Sequence, residues 1–470
     1  MAKITVIGTG YVGSVSGACL ADFGNNVICV DTDKEKIDLF KNGKIPIYES
    51  GLDMVVDRCT KNGRLSFTTD LSYALNESDV SKEPGVSKEP GVSKEPCVSK
   101  EPGVSKEPQI VFIAVGTPQM EDGSADIVFI EEAARQLGRL INKYTIIVNK
   151  STVPIGTGKK VIAWVKEELE KRNANIEFDV VSNPEFLREG TAVYDFTHPD
   201  RVVLGSESKR AIEIMKDVYR SLYLNETPFI ETNLESAEMI KYASNAFLAV
   251  KITFINEIAN LCEKTGADIR AVAKAVGKDG RIGSKFLHPG PGYGGSCFPK
   301  DTRAIVKTAK EKCEELNLIE TAIETNEKQK IRAAKKIENI LGSLNGKTIA
   351  ILGLAFKQNT DDMRESPSIT ICEYLARNNA KLRLYDPAAM NEAPYWFEAI
   401  SGSVYYAKDE YDASLGASAL VIITPWNQFR NLDLERIKNT LTLPNFIDLR
   451  NIYKPDDVRS SGLNYYGIAC

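Results

Sequence analysis

Histidine is almost missing from this chain: among 470 residues only His198 and His288 carry an imidazole, each directly before a proline. A Ser-His-Asp relay or a histidine metal site is thereby all but excluded. No metal is expected, and proton transfer falls to Glu, Asp, Lys or water. The nine cysteines are odd in number, scattered from Cys19 to Cys470 and never spaced as CxxC, so neither a disulfide framework nor a zinc site is expected. Long apolar runs are lacking too. No window reaches the roughly 18 residues of a membrane span, and the start, Met1-Ala-Lys-Ile-Thr-Val-Ile-Gly8, runs into a strand instead of a signal peptide. A cytoplasmic protein without a membrane partner is the expectation. Positive charge is in deficit, 59 Lys and Arg against 64 Asp and Glu, and the net charge of −5 argues against nucleic acid as a partner.

What is present is apolar material for more than one core: 43% of residues are hydrophobic, in a chain long enough for two or three domains. Lys3 to Ile7 reads as a buried strand, Gly8-Thr-Gly10-Tyr-Val-Gly13 follows, then a small-residue helix (Ser14 to Phe23) and a strand from Asn26 to Val30 ending at Asp31. In that setting GxGxxG predicts a dinucleotide turn, with pyrophosphate at the helix N-terminus. Asp31 is placed to bind an adenosine ribose and to repel a 2′-phosphate, which favours NAD over NADP.

Between 80 and 108 the chain changes character. Val-Ser-Lys-Glu-Pro recurs five times at a period of six. Proline every sixth residue forbids a helix or central strand, and one valine per unit builds no core, so disorder and repeat expansion in a tolerant loop are expected. The strand Ile110 to Val115 leads into Gly116-Thr-Pro118, and Thr145 to Val148 leads into Asn149-Lys-Ser-Thr-Val-Pro154. Thr117 and Thr152 therefore fall at carboxyl ends of strands, where doubly wound sheets bind ligands. After a strand at Phe178 to Val181 comes Asn183-Pro-Glu-Phe-Leu-Arg-Glu-Gly190, in which a short helix would bring Glu185 and Glu189 to one face.

Leu234 to Thr265 reads as one long helix with Ile240, Ala243, Phe247, Val250, Phe254, Ile258 and Leu261 as a stripe for the core or a dimer interface, and with Lys241 and Asn245 projecting together from another face. Gly292-Tyr-Gly-Gly-Ser-Cys-Phe-Pro-Lys-Asp301 then sets a thiol, an ammonium and a carboxylate behind glycines that permit positive φ. Of the nine cysteines only Cys297 has this setting. A second α/β pattern follows a connecting helix (Glu324 to Leu341): strands at Thr348 to Leu352 and Lys381 to Tyr385, a helix near Ser366 to Arg377, and further strands at Ala419 to Ile423 and Phe446 to Ile447. The fold class is α/β, two Rossmann-like doubly wound domains joined by a long central helix and a helical middle domain, with divisions 1–205, 206–325 and 326–470.

These motifs, with Phe356-Lys-x-x-Thr-Asp-Asp-x-Arg364, jointly resemble the UDP-glucose/GDP-mannose dehydrogenase family of nucleotide-sugar dehydrogenases, from Met1 to about Arg450 with only the repeat foreign to the pattern. The resemblance implies a four-electron oxidation of a sugar C6 alcohol with two NAD in succession and Cys297 as covalent nucleophile. Lys241, Asn245 and a water held by Thr152 and Asp301 would handle the alcohol proton and developing oxyanions, and Glu185 would activate water for hydrolysis. Gly8, Gly10, Tyr11, Val12 and Gly13, with Asp31, Lys36, Thr117, Thr152, Glu189, Lys300 and Arg364, would face NAD.

The substrate would meet Glu185, Phe186, Leu187, Arg188 and Glu189, then Lys241 and Asn245. Further contacts would come from Arg281, Phe286, Leu287, His288, Pro289 and Gly290, and from Gly294, Lys357 and Arg450. UDP-glucose is the implied substrate, Tyr293 resembling that branch. GDP-mannose, a UDP-N-acetylhexosamine and a non-catalytic binding protein are the alternatives. A homodimer built on the central helix is also implied.

Overall fold

The structure is a computed structural model and describes residues 1–76 and 108–470; apart from Pro108, the repeat lies outside the described residues. The chain divides into two compact units, one of residues 1–118 and 126–241, the other of 119–125 and 242–470.

Among the described residues the first unit holds eight strands: β1 (Lys3–Ile7), β2 (Asn26–Val30), β3 (Leu65–Thr68), β4 (Gln109–Ile113), β5 (Thr145–Asn149), β6 (Phe178–Ser182), β7 (Val202–Gly205) and β8 (Phe229–Thr232). They lie in the order β3-β2-β1-β4-β5-β6-β7-β8. The first six are parallel and in doubly wound order, and β7 meets β6 antiparallel. β4 and β5 are buried at every position, which explains why their sequences are continuous apolar runs instead of alternations. β3, β7 and β8, of four residues each, escape the sequence reading.

The second unit repeats the plan with β9 (Thr348–Leu352), β10 (Lys381–Tyr385), β11 (Val404–Tyr406), β12 (Ala419–Ile422), β13 (Asn445–Asp448) and β14 (Asn464–Tyr466). Their order is β11-β10-β9-β12-β13-β14, parallel throughout. Helices Phe298–Glu311 and Asn317–Leu341 precede this sheet.

The helix Leu234–Thr265 forms over its expected span, but the expected stripe is not its buried face. Phe247 is 64% exposed, Phe254 49% and Leu261 59%, whereas Glu238, Lys241, Asn245, Thr253 and Asn256 are buried. Of the expected stripe only Ile240, Val250 and Ile258 are partly covered, and the buried face mixes those polar groups with Tyr242, Ala246, Ala249, Ile255 and Ala259. Periodicity gives the angle between stripes; it does not say which one faces inward.

Candidate active site

At the carboxyl end of β1 the chain turns at Gly8, whose φ is +96° and where a Cβ would lie 2.6 Å from the carbonyl oxygen of Ala114. A Cβ on Gly13 would lie 1.9 Å from the Gly8 oxygen, so the turn and the helix Tyr11–Asp22 close on each other only with glycine at both places. Gly10, at the N-terminus of that helix, has open space where its Cβ would be. Backbone N–H groups thus lead a helix N-terminus into room for an anion. Asp31 ends β2 and accepts hydrogen bonds from Thr9 N (2.7 Å), Thr9 Oγ1 (2.8 Å) and Asp33 N (3.1 Å), with Lys36 Nζ at 3.6 Å. Burial pushes its carboxyl up, but these donors prevail and hold it below the ordinary range. Thr117 Oγ1 donates to the Thr152 carbonyl at 2.9 Å, so the two hydroxyl turns after β4 and β5 are joined.

The segment after β6 is not helical. Leu187 N donates to Glu185 Oε2 (2.5 Å) and Arg188 N to Asp195 Oδ2 (2.9 Å), so side chains take the donors that a helix would use, and Glu185 and Glu189 share no helix face. Glu185 is buried and pairs with buried Lys241 at 2.8 Å. Burial raises the Glu185 carboxyl, and the Lys241 ammonium, with the Leu187 N–H and the Lys150 charge, more than offsets it, leaving a carboxylate. Lys241 and Arg201 lie over the Phe186 ring at 5.3 and 3.6 Å. Arg188 pairs with Asp195. Lys150 is a further buried cation here. Its Nζ donates to Asn183 Oδ1 (3.1 Å) and Tyr219 OH (3.4 Å), and burial pushes it down to about 8.

In the second unit Cys297 occupies the N-cap position of the helix Phe298–Glu311 and is only partly buried. Ser296 Oγ is 3.5 Å from its sulfur. Asp301, one turn along, is buried and accepts from Asn245 Nδ2 (2.6 Å) and Lys300 Nζ (2.7 Å). A Cβ on Gly294 would lie 2.3 Å from the Glu365 oxygen, and one on Gly295, at φ +87°, 2.6 Å from the Phe356 ring. These glycines are required by protein packed behind the loop, a reason that ten residues in isolation do not reveal. Gly290 lies against Arg450, which is partly buried, donates to the Ile423 carbonyl at 2.7 Å and is pushed down to about 10 by desolvation. Leu287 is buried and Pro289 with it, His288 is exposed, and Phe286 takes a positive φ of +66°. Arg281 pairs with Asp279, Arg364 with Asp362, and Lys357 Nζ stands 5.3 Å over the Phe356 ring.

Three family models match in chain order: the UDP-glucose/GDP-mannose dehydrogenase NAD binding domain over 2–82 and 99–223, the central domain over 235–328, and the UDP binding domain over 350–455. The chain belongs to the UDP-glucose/GDP-mannose dehydrogenase family. The first of these matches passes over 83–98, within the repeat. Similar relatives include UDP-glucose 6-dehydrogenase of Rhizobium meliloti, 48% identical and covering 99% of both chains, and UDP-glucose 6-dehydrogenase TuaD of Bacillus subtilis, 45% identical over 100% of this chain and 93% of the relative. Among solved structures, a UDP-glucose dehydrogenase from Pyrobaculum islandicum is 34% identical, covers 100% of this chain and 98% of its own, and has a TM-score of 0.84.

NAD is the family's cofactor, and the open cradle at Gly10 beside the Asp31 carboxylate fits its pyrophosphate and adenosine ribose. Thr9, Lys150, Arg201, Tyr219 and a buried Glu49 were missed by the sequence reading. Thr9 and Lys150 sit inside quoted motifs, so hydroxyl and ammonium chemistry could have flagged them; Glu49, Arg201 and Tyr219 carry no local signal.

Proposed function

We propose that this family member oxidises the C6 alcohol of UDP-glucose to the carboxylate, with two NAD reduced per sugar. NAD, when bound, supplies the hydride acceptor for both oxidations. The observation that carries the reading is Cys297, a partly exposed thiol at the N-terminus of a 14-residue helix, where the helix dipole favours a thiolate. A two-electron alcohol dehydrogenase needs no such nucleophile. Cys297 Sγ bonds to the C6 aldehyde carbon while a proton goes to its oxygen, giving a thiohemiacetal. Loss of a hydride and of the hydroxyl proton leaves a thioester; water then breaks the C–S bond and restores the thiol and a carboxylate.

Lys241 and Asn245, one turn apart on the central helix, handle the alcohol proton and the oxyanion. Glu185, kept ionised by Lys241, activates the hydrolytic water. Thr152 and Asp301 hold water, and Lys300, which neutralises Asp301, faces NAD together with Lys36, Glu189 and Arg364. The segments 185–189, 281 and 286–290, with Gly294, Lys357 and Arg450, bind the nucleotide sugar. Three divisions, 1–205, 206–325 and 326–470, carry NAD, the nucleophile loop and UDP. The working form is a cytoplasmic homodimer, in which Phe247, Phe254 and Leu261, seven residues apart and exposed, pack against a second copy.

The test is stoichiometric. Purified protein with NAD and UDP-glucose should yield two NADH per sugar. One equivalent would rule out the thioester route, and preference for GDP-mannose or UDP-N-acetylmannosamine would replace the substrate.

A further inference from the structure

Glu49 lies in an irregular segment between the helices Lys34–Lys41 and Leu52–Lys61, within none of the motifs, yet it is buried and fully engaged. Its Oε2 accepts from the Tyr11 hydroxyl and from Gly190 N at 2.6 Å. Its Oε1 accepts from Ala192 N at 2.8 Å and Val193 N at 3.5 Å. Gly190 N also reaches the Tyr11 oxygen at 2.9 Å, closing a ring of three groups. Tyr11 is the first residue of the helix after the glycine turn, and Gly190 ends the 183–190 segment at a φ of +79°. One carboxylate therefore joins two loops 179 residues apart in the chain. Burial first, then the bond to Glu49 and its charge, hold the Tyr11 phenol far above its ordinary range, so it stays a donor.

We propose that Glu49 is a positioning residue that couples the two binding sites, transmitting the placement of the 8–13 loop to the 185–190 loop through Tyr11 and Gly190. The inference rests on the reading of these loops as cofactor and substrate loops. A buried carboxylate with four donors has one low-energy arrangement, so a shift of either loop must break a charge-assisted bond or move the other loop. Ligands that each select the joined arrangement then favour one another's binding, and by linkage the effect is reciprocal.

The experiment titrates the full-length protein with NADH, by its fluorescence, with and without saturating UDP-glucose, a pair that does not react. The ratio of the two dissociation constants is the coupling factor. In the unaltered protein it should be about fivefold or more. In Tyr11→Phe, which keeps Glu49 and its bonds to Gly190 and Ala192, and in Glu49→Gln, it should fall to within about twofold of unity. A factor of unity in the unaltered protein overturns the proposal. So does an unchanged factor in Tyr11→Phe, even if single affinities fall, since that is a merely structural role. Should Glu49→Gln not fold, Tyr11→Phe carries the test alone. Failure of the unaltered protein to bind either ligand would overturn the loop assignments themselves, and the inference with them.

Discussion

Cys297 differs from the other described cysteines in its surroundings. Cys19, Cys29, Cys59, Cys262 and Cys372 are buried, with burial pushing Cys29 up to about 12, while Cys313 and Cys470 are exposed away from the motifs. Only Cys297 combines partial access with a helix N-terminus and a buried carboxylate one turn on. Cys297→Ser should lower kcat on the order of 10³-fold or more and leave NADH and UDP-glucose binding intact by titration; near-normal turnover would remove Cys297 from the mechanism. Its environment was legible because glycine, cysteine, lysine and aspartate are adjacent in the chain. Asp301's partner Asn245 was named, but their bond was not foreseen, since 56 residues separate them.

At the scale of elements, the central helix is tied to its neighbours through polar groups. Glu238 accepts from Gly156 N at 2.6 Å and Gly158 N at 2.7 Å, at the start of the helix Thr157–Lys171. Two N–H donors favour the carboxylate, but burial outweighs them and pushes the group up to about 7. The folded state therefore binds a proton between pH 4.5 and 7 that the unfolded chain releases, so the stabilisation is full below 4.5 and is lost as pH rises through 7. Melting temperatures of the protein and of Glu238→Gln, measured across that window, should show the wild type losing roughly 2–3 kcal/mol relative to the variant as pH rises. The variant's lost hydrogen bond gives a constant offset and leaves the slope as the readout. A flat difference would place the titration elsewhere. Element positions were readable: β1, β2, β9, β10 and the central helix have the expected ends. The facing of the helix was not, because burial of Lys241 and Glu238 depends on partners from Glu185 to Gly156 that lie far away in sequence.

For the whole molecule, the apolar stripe of Phe247, Phe254 and Leu261 leaves a surface that a second copy would bury. Phe254→Asp would place an unpaired charge in such an interface, so light scattering should find a dimer for the unaltered protein and a monomer for the variant. A monomeric unaltered protein would end the dimer proposal. Two doubly wound sheets, the glycine turn with its acidic partner and the glycine loop that carries Cys297 were legible in the chain, because each is written in contiguous residues whose local chemistry admits few conformations. Packing was needed to bury Glu238, Lys241 and Asn245 on the central helix, to hold the 183–190 segment by side chains instead of helical bonds, and to join Tyr11 to Gly190 through Glu49. Those outcomes depend on which distant group arrives to satisfy a buried donor or charge, and spacing along one segment carries no record of it.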